Sequence, residues 1–392
     1  MLPYGLYVGM LLHGTLIVLT LTAPRRPAWL ARIAFMVAAA YNEAPFLIFI
    51  VILAGTVPGL VGAPVLPEDA ITWILLIGLA VGLGVIAWRG HRARPVIERA
   101  LDDELGSGWR NRIDPAVRAG LRERPPWWWV VLMPIVFLPR GVQRVRNIAY
   151  GGAGRLNRLD LYRSRSGVSG APVLVYFHGG GYYGGRKSVE SRALLFRLAS
   201  RGWVTISANY RLRPGATFVD HLTDVKAVLA WIRDHSMAYG MDPDAVVVSG
   251  GSAGGHLATM AGLTQNDPRY QSGFEDADTS VQAVASFYGW YDGYYGLGGI
   301  DSEVGPLGHD ASSAPPFFIV HGTDDTAAPV DHARRTAAHL RAGSRAPVVF
   351  AELPHGQHAF DLFHSLRFSA VVEGVEGFLA TLRQPLPPDQ GL

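Results

Sequence analysis

The chain contains no cysteine. That removes disulfides, thiolate metal sites and cysteine nucleophiles, although it does not fix a redox compartment. Lysine is almost missing as well, occurring only at 187 and 226, so nearly all positive charge is arginine. Codon bias accounts for that skew without any functional reading. Charge is scarce altogether: Asp, Glu, Lys and Arg make up 17% of the 392 residues, while hydrophobic residues reach 49%. Ordinary globular chains carry about 25% charged residues, so part of this one is expected to sit outside water. The net charge of +3 is small, and neither zinc-finger spacing nor an aromatic-basic RNA motif occurs. Nucleic acid is therefore excluded as the main partner. There is no internal repeat, and no low-complexity tract alters the reading.

What is present begins with three apolar segments. Residues 4–22 and 70–88 carry no charge, and residues 33–57 are apolar apart from Asn42 and Glu43. At 1.5 Å per residue each can cross a hydrocarbon layer about 30 Å thick. The first lacks a basic n-region and a convincing cleavage site, so it reads as a retained span. The first connection carries Arg25, Arg26 and Arg32; the second carries Glu68 and Asp69; Arg89, Arg92, Arg94 and Arg99 follow the third span. Positive loops stay cytoplasmic. Three spans then place the N-terminus outside and everything after residue 89 in the cytoplasm, as an integral protein of the plasma membrane. If the second segment is re-entrant, the catalytic part moves to the other face. Glu43 at bilayer depth is a functional candidate by default. We favour a helix that breaks at Pro45, with Glu43 reaching an interface or pairing with another span, because no second intramembrane charge offers a relay partner.

Residues 91–124 mix Arg with Asp and Glu around Val96, Ile97, Leu101 and Leu105, and predict a juxtamembrane linker with one or two helices. The Trp127-Trp128-Trp129 segment that follows is too short to span. It either lies in the headgroup region or packs as a cap at the substrate entrance. From about residue 144 strands and helices alternate. Strands are predicted at 145–150, 158–162, 172–177, 203–208, 245–249, 281–288, 317–320 and 348–353, and helices at 189–200, 218–235, 332–340 and 363–382. Such alternation implies a mostly parallel sheet with helices on both faces, an α/β fold. The expected division is a membrane region over 1–90, a linker or cap over 91–143, a catalytic domain over 144–384 and a tail over 385–392.

Gly250-Gly251-Ser252-Ala253-Gly254 follows the apolar run 245–248 and precedes a helix-compatible stretch. A serine between glycines at this spacing reads as a nucleophile elbow. A serine hydroxyl needs a base, expected later in the chain after an acid. His358 lies in a loop just past the last predicted strand, with His355 as its rival; His321 reads as structural. Asp324 and Asp325 are both offered after the strand at 317–320, and spacing alone does not choose between them. His178-Gly179-Gly180-Gly181 follows another strand, where a glycine run lets backbone amides approach a developing oxyanion. The amides of Gly180, Gly181 and Ala253 are the expected oxyanion hole. Of the aromatics near these loops, Tyr182 and Tyr288 are expected to line the substrate pocket, while Tyr183, Trp290, Tyr291, Tyr294 and Tyr295 stay open. Asp224 reads as a structural partner of a nearby Arg or amide.

Taken together, these motifs resemble the hormone-sensitive-lipase-like carboxylesterase group of the α/β-hydrolases, over about residues 144–384. The segments that carry the resemblance are 178–181, Asn209-Tyr210-Arg211-Leu212, Gly240-Met241-Asp242-Pro243, 251–255, His321-Gly322-Thr323-Asp324-Asp325 and Gln357-His358-Ala359-Phe360. The family pattern implies Asp325 as the acid and His358 as the base. The chain departs from it at Gly251, where members often carry an acidic residue, and in the region where many carry a helical cap. The membrane-anchored form is also similar to multi-span bacterial lipase-like proteins and to plant prenylcysteine methylesterases. The resemblance implies an α/β-hydrolase fold behind about three spans, acting as a serine carboxylesterase through an acyl-serine on a small-molecule or lipid-derived ester. It implies no metal or cofactor; the apolar segments at the front of the chain make the lipid bilayer an expected partner. Alternatives are a prenylcysteine methylesterase-like enzyme, a degenerate hydrolase acting as a membrane interaction protein, and a transporter or sensor built on the spans.

Overall fold

The computed structural model describes residues 4–61, 70–122, 130, 133–295 and 297–382. Apolar runs form α1 (Tyr4–Thr22), α3 (Pro45–Val61) and α4 (Ala70–His91), the last carrying Arg89 in its final turn, with α2 (Ala28–Tyr41) between the first two. Helices α1 and α4 lie side by side and run the same way. Ile17 fills the space a side chain at Gly82 would need, and Arg89 Nη1 donates to Leu21 O at 2.9 Å. A small residue at such a contact lets two apolar helices approach closely. By length and composition, α1 and α4 are each able to cross a membrane.

The apolar segment over 33–57 is not one continuous helix: it breaks, as Pro45 leads one to expect. The chain bends by 87° between α2 and α3. Pro45 explains the position of the bend: a helix continued through it would lose a backbone hydrogen bond and clash with the carbonyl four residues earlier. So α2 stops at Tyr41 and α3 restarts with Pro45 in its first turn. Glu43 sits in the break, as expected, but its partner is not another span. It pairs with Arg367 and accepts from Ser365 Oγ at 2.6 Å, at the start of the C-terminal helix. The side chains of the pair are 1% and 0% exposed. Two more contacts lay α2 and its entry on the same part of the molecule: Arg25 Nη2 donates to Thr323 O at 2.8 Å, and Thr326 Oγ1 donates to Ala31 O at 3.1 Å.

The remaining chain builds an eight-stranded sheet in the order β1-β2-β4-β3-β5-β6-β7-β8. The strands are β1 (Val142–Ala149), β2 (Arg158–Ser164), β3 (Ala171–Phe177), β4 (Val204–Ala208), β5 (Met241–Gly251), β6 (Ala283–Phe287), β7 (Phe317–Gly322) and β8 (Val348–Leu353). Only β1 with β2 and β2 with β4 are antiparallel. Strands β3, β4, β6 and β7 are buried at every position, as their continuous apolar runs require for a sheet covered on both faces. Helices α8 (Phe218–Asp234), α9 (Ala253–Leu263) and α10 (Val330–Gly343) cover one face. The other is covered by α5 (Ala93–Leu105), α7 (Arg192–Ser200) and α11 (Leu366–Leu382), while α6 (Pro115–Arg122) lies between α5 and β1 in the chain.

Helix α5 corrects the linker expectation. Ile97 and Leu101 are buried in the same layer as Phe318 and Phe378, and Glu104 accepts from the Val348 N–H at 2.7 Å. The stretch read as a connection is part of the covering layer, and the expected boundary at 144 falls inside β1. Trp127-Trp128-Trp129 and the tail lie outside the described residues. Replacing Arg367 with Met should strand the Glu43 carboxylate and cost about 3–5 kcal/mol, read as a lower thermal midpoint of the full chain in detergent. Adding Glu43→Gln to that variant should restore part of the loss.

Candidate active site

Ser252 occupies the sharp turn between β5 and α9 with φ 56° and ψ −119°, a conformation costly for a residue with a Cβ. The turn is held by its own backbone: the Ser252 N–H donates to Phe287 O at 3.0 Å, and the Ser252 carbonyl accepts from His256 and Trp290. Glycine is required at 250 and 254 by close approach. A Cβ at Gly254 would come within 2.0 Å of Phe177 O, and one at Gly250 within 2.4 Å of Gly254. The start of α9 therefore lies directly on the end of β3, where the His178–Gly181 loop begins.

His358 Nε2 stands 2.7 Å from Ser252 Oγ, and His358 Nδ1 stands 2.7 Å from Asp325 Oδ2. Asp325 is buried and also accepts from the Ala327 and Ala328 amides at 2.9 and 2.7 Å. Burial opposes its charge, but the facing His358 and hydrogen bonds from His321 and His358 outweigh it and hold the carboxyl well below the usual range. The rivals left open by spacing are paired with each other: His355 Nδ1 and Asp324 Oδ2 are 3.0 Å apart on the partly exposed side of the same loops. His321 braces the acid at 3.2 Å from Asp325 Oδ2. Asp224 binds Arg211, through both side chain and backbone N–H.

Gly180 and Gly181 have φ 108° and 60°, and a Cβ at Gly180 would collide with Gly184 O at 2.4 Å. Glycine at 180 is thus fixed by conformation and by space. The loop is held from behind by Glu190, whose Oε2 accepts the Gly179 N–H at 2.7 Å. Tyr176 joins Glu190 to Asp361, its hydroxyl 3.2 Å from the first and 2.6 Å from the second. Tyr288 donates to the other oxygen of Asp361. Burial, and then the Asp361 charge, raise the Glu190 carboxyl to about 8; burial raises Asp361 too. A side chain at Gly251 would run into the Tyr288 and Tyr176 hydroxyls, 2.3 and 2.7 Å from its Cβ position. Carboxyl groups therefore sit one layer deeper than position 251, reached through the two phenols.

This network corrects the expected pocket. Tyr288 is 1% exposed and braces the His358 ring from behind, with centroids 4.7 Å apart. Tyr182 is fully buried, stacks on His221 and shares a hydrogen bond with His256 Nδ1 at 2.5 Å. The exposed aromatics beside the His178–Gly181 loop are Tyr183 and Tyr295, with the Tyr295 hydroxyl 3.0 Å from the Cβ position of Gly181. Sequence reasoning missed three other neighbours. Phe35 of α2 meets the His358 ring edge-on at 5.5 Å. Gln357 Oε1 accepts both the Thr326 and His358 amides, at 2.7 and 3.0 Å, tying acid loop to histidine loop. Glu190 is the third. Gln357 was visible inside a motif already singled out; Phe35 and Glu190 had no local signal.

An elbow serine, an imidazole and a buried carboxylate on the carboxyl ends of a largely parallel sheet define an α/β-hydrolase. Residues 159–294 match the BD-FAE family. "Probable carboxylic ester hydrolase LipM" of Mycobacterium tuberculosis is 38% identical over 344 residues, covering 80% of this chain and 78% of that protein. "Esterase LipQ" of the same organism is 34% identical over 339 residues, covering 77% and 78%. Among solved structures, a truncated carbohydrate esterase from gut microbiota superposes with a TM-score of 0.53 at 19% identity, covering 60% of this chain and 96% of that one; it supports the fold alone. The chain belongs to the carboxylic ester hydrolase family that these mycobacterial proteins represent.

The Glu190 contact generates three expectations. Glu190→Ala should lower kcat about ten- to 100-fold with little change in KM, because the loop loses its anchor while the pocket remains. Glu190→Gln keeps an acceptor for the Gly179 N–H and should retain most activity. A carboxyl whose folded value is raised contributes stability that is full below its ordinary 4.5 and lost as pH rises through about 8. The Gln variant should flatten that decline in thermal midpoint between pH 5 and pH 8.

Proposed function

We propose that this carboxylic ester hydrolase is a membrane-anchored serine esterase working through an acyl-serine, on esters of amphipathic or lipid-derived molecules. Ser252 is the nucleophile, His358 the base and Asp325 the orienting acid. The observation that carries the reading is the relay from Ser252 Oγ through both ring nitrogens of His358 to Asp325, each link 2.7 Å long. The Ser252 hydroxyl donates to Nε2 while Nδ1–H donates to Asp325. As Oγ attacks the ester carbonyl, Nε2 takes its proton, and the imidazolium is stabilised by the ionised Asp325. The carbonyl oxygen becomes an oxyanion facing the amides of Gly180, Gly181 and Ala253. Collapse expels the alcohol, which takes the proton from Nε2. Water then attacks the acyl-serine, passing its proton to the same nitrogen; Oγ recovers that proton as the acid leaves.

Three features support the membrane part. Helices α1 and α4 end, and α3 begins, on the side where α2 lies against the site. Crossings by α1, α3 and α4 therefore put Arg25, Arg26, Arg32, Arg89 and Arg92 on the catalytic side, which the positive-inside rule makes cytoplasmic. The division into a membrane region and a catalytic domain follows the same line, with α5 counted in the latter. Trp29, Ile33 and Met36 of α2 are exposed, as are Tyr183, Tyr295 and Leu297 near the oxyanion loop. This apolar rim suits a site mouth at the bilayer interface.

Ser252→Ala should abolish labelling by a fluorophosphonate probe and lower hydrolysis of a chromogenic acyl ester at least about 10³-fold. Asp325→Asn, which leaves the imidazole in the wrong tautomer, should cost about 10⁴-fold in kcat. Equal hydrolysis by Ser252→Ala and wild type would overturn the serine mechanism. Protease access to terminal tags should differ between the two ends of the chain; access to both from one face would overturn the three-crossing topology.

A further inference from the structure

At the β1–β2 edge, away from Ser252, lies an open cavity of about 600 Å³. Its walls bring together Arg144, Arg155, Arg158, Arg186, Lys187 and Arg192. Among the described residues, the only carboxylate paired with any of these six cations is Asp160, buried beneath them and bound to Arg144 and Lys187. Burial works against that charge, but hydrogen bonds from Lys187 and Arg144 hold Asp160 at about 2, so it stays ionised and cancels one cation. The remaining excess has no carboxylate partner among the described residues. Concentrating like charge in one concavity is unfavourable unless something anionic relieves it.

The cavity shares the catalytic rim. Asn209 directly follows β4, whose carboxyl end lies beside that of β3. Its side chain accepts the Lys187 N–H at 2.6 Å and donates to Arg155 O at 2.9 Å, joining both cationic loops to the sheet end. Arg186 and Lys187 belong to the same loop as Gly180 and Gly181, and the intervening Gly185 packs on His178. Arg158 and Arg192 are fixed by donation to backbone carbonyls, Asn147 O at 3.0 Å and Ser188 O at 2.8 Å. Arg155 and Arg186 are exposed. The wall is thus part preset and part adaptable.

We propose that this cavity is a binding site for a phosphate-bearing anion, separate from the ester-cleaving centre and on the same face. Guanidinium forks match phosphate oxygens two at a time, and several converging forks select phosphate over a single carboxylate. If the bilayer placement proposed above holds, the source on this rim is the headgroup of an anionic phospholipid; a soluble phosphate or pyrophosphate ester offers the same chemistry. The site does not depend on the serine mechanism, and a chain inactive toward esters would still carry it.

The test uses the full chain in a nonionic detergent. Native mass spectrometry follows titration with phosphatidylglycerol, with phosphatidylcholine as the neutral comparison, and separately with inorganic pyrophosphate. The variant is Arg155→Gln with Arg186→Gln, two exposed side chains outside the catalytic relay. Hydrolysis of a short soluble ester at the wild-type rate reports that the variant is folded. Expected is phosphatidylglycerol binding weakened about fivefold per cation removed, about 25-fold for the pair, with phosphatidylcholine binding unchanged. Pyrophosphate binding that depends on the same arginines, without phosphatidylglycerol binding, would support the site and assign a soluble occupant. Equal affinity of wild type and variant for both anions would overturn it, as would wild-type binding to phosphatidylcholine as tight as to phosphatidylglycerol.

Discussion

The close crossing of α9 on the end of β3 is the contact from which the site follows. With hydrogen in place of Cβ at 250 and 254, the serine turn sits against the Phe177 and His178 carbonyls. That contact sets how far the hydroxyl stands above the sheet and where the following glycine loop begins. Strain at Ser252 is held by hydrogen bonds from neighbouring strand ends, so the cost is borne by the sheet and not by the loop. Loops after β7 and β8 then need only reach the same rim, and one glutamine side chain keeps them in register.

Much of this was legible from residue order. Apolar runs bounded by turns gave the strands to within a few residues, because buried parallel strands leave little freedom in composition. Glycine motifs after apolar strands located the serine turn and the His178–Gly181 loop for steric reasons that act locally. What stayed hidden was long-range. Nothing near position 43 announces a partner at 367, and nothing near 190 announces a backbone amide at 179. Tyr182 and Tyr288 sit beside the motifs in sequence, yet the chain turns inward immediately after each loop. Adjacency along the chain was a poor guide to which face of the loop a ring would take. The choice between Asp324 and Asp325 could not be made from spacing, since consecutive residues in a turn point in different directions; the fold uses both, one inward and one toward His355.

The apolar N-terminal helices show the same split between local and distant signals. Apolar length identified α1 and α4, and Pro45 announced a break. The direction of the bend depended on a buried ion pair with the last helix. Removing two charges from water is expensive and is offset only when geometry and further hydrogen bonds are good. Here Ser365 supplies the additional donor. The result is a buried joint between the apolar N-terminal helices and the hydrolase core, with α2 spread across the end of the site that holds the imidazole.

That joint bears on any attempt to work with an excised soluble fragment. Cutting away the first ninety residues would take Phe35 from the edge of His358 and remove both the Glu43 counter-ion of Arg367 and the residues at 42–46, 87 and 90 that enclose that guanidinium. It would also free the Thr323 carbonyl and the Thr326 hydroxyl beside the acid loop. Such a fragment would carry every residue of the relay and yet present a different enzyme, with a wetter imidazole and a looser carboxylate than the intact chain.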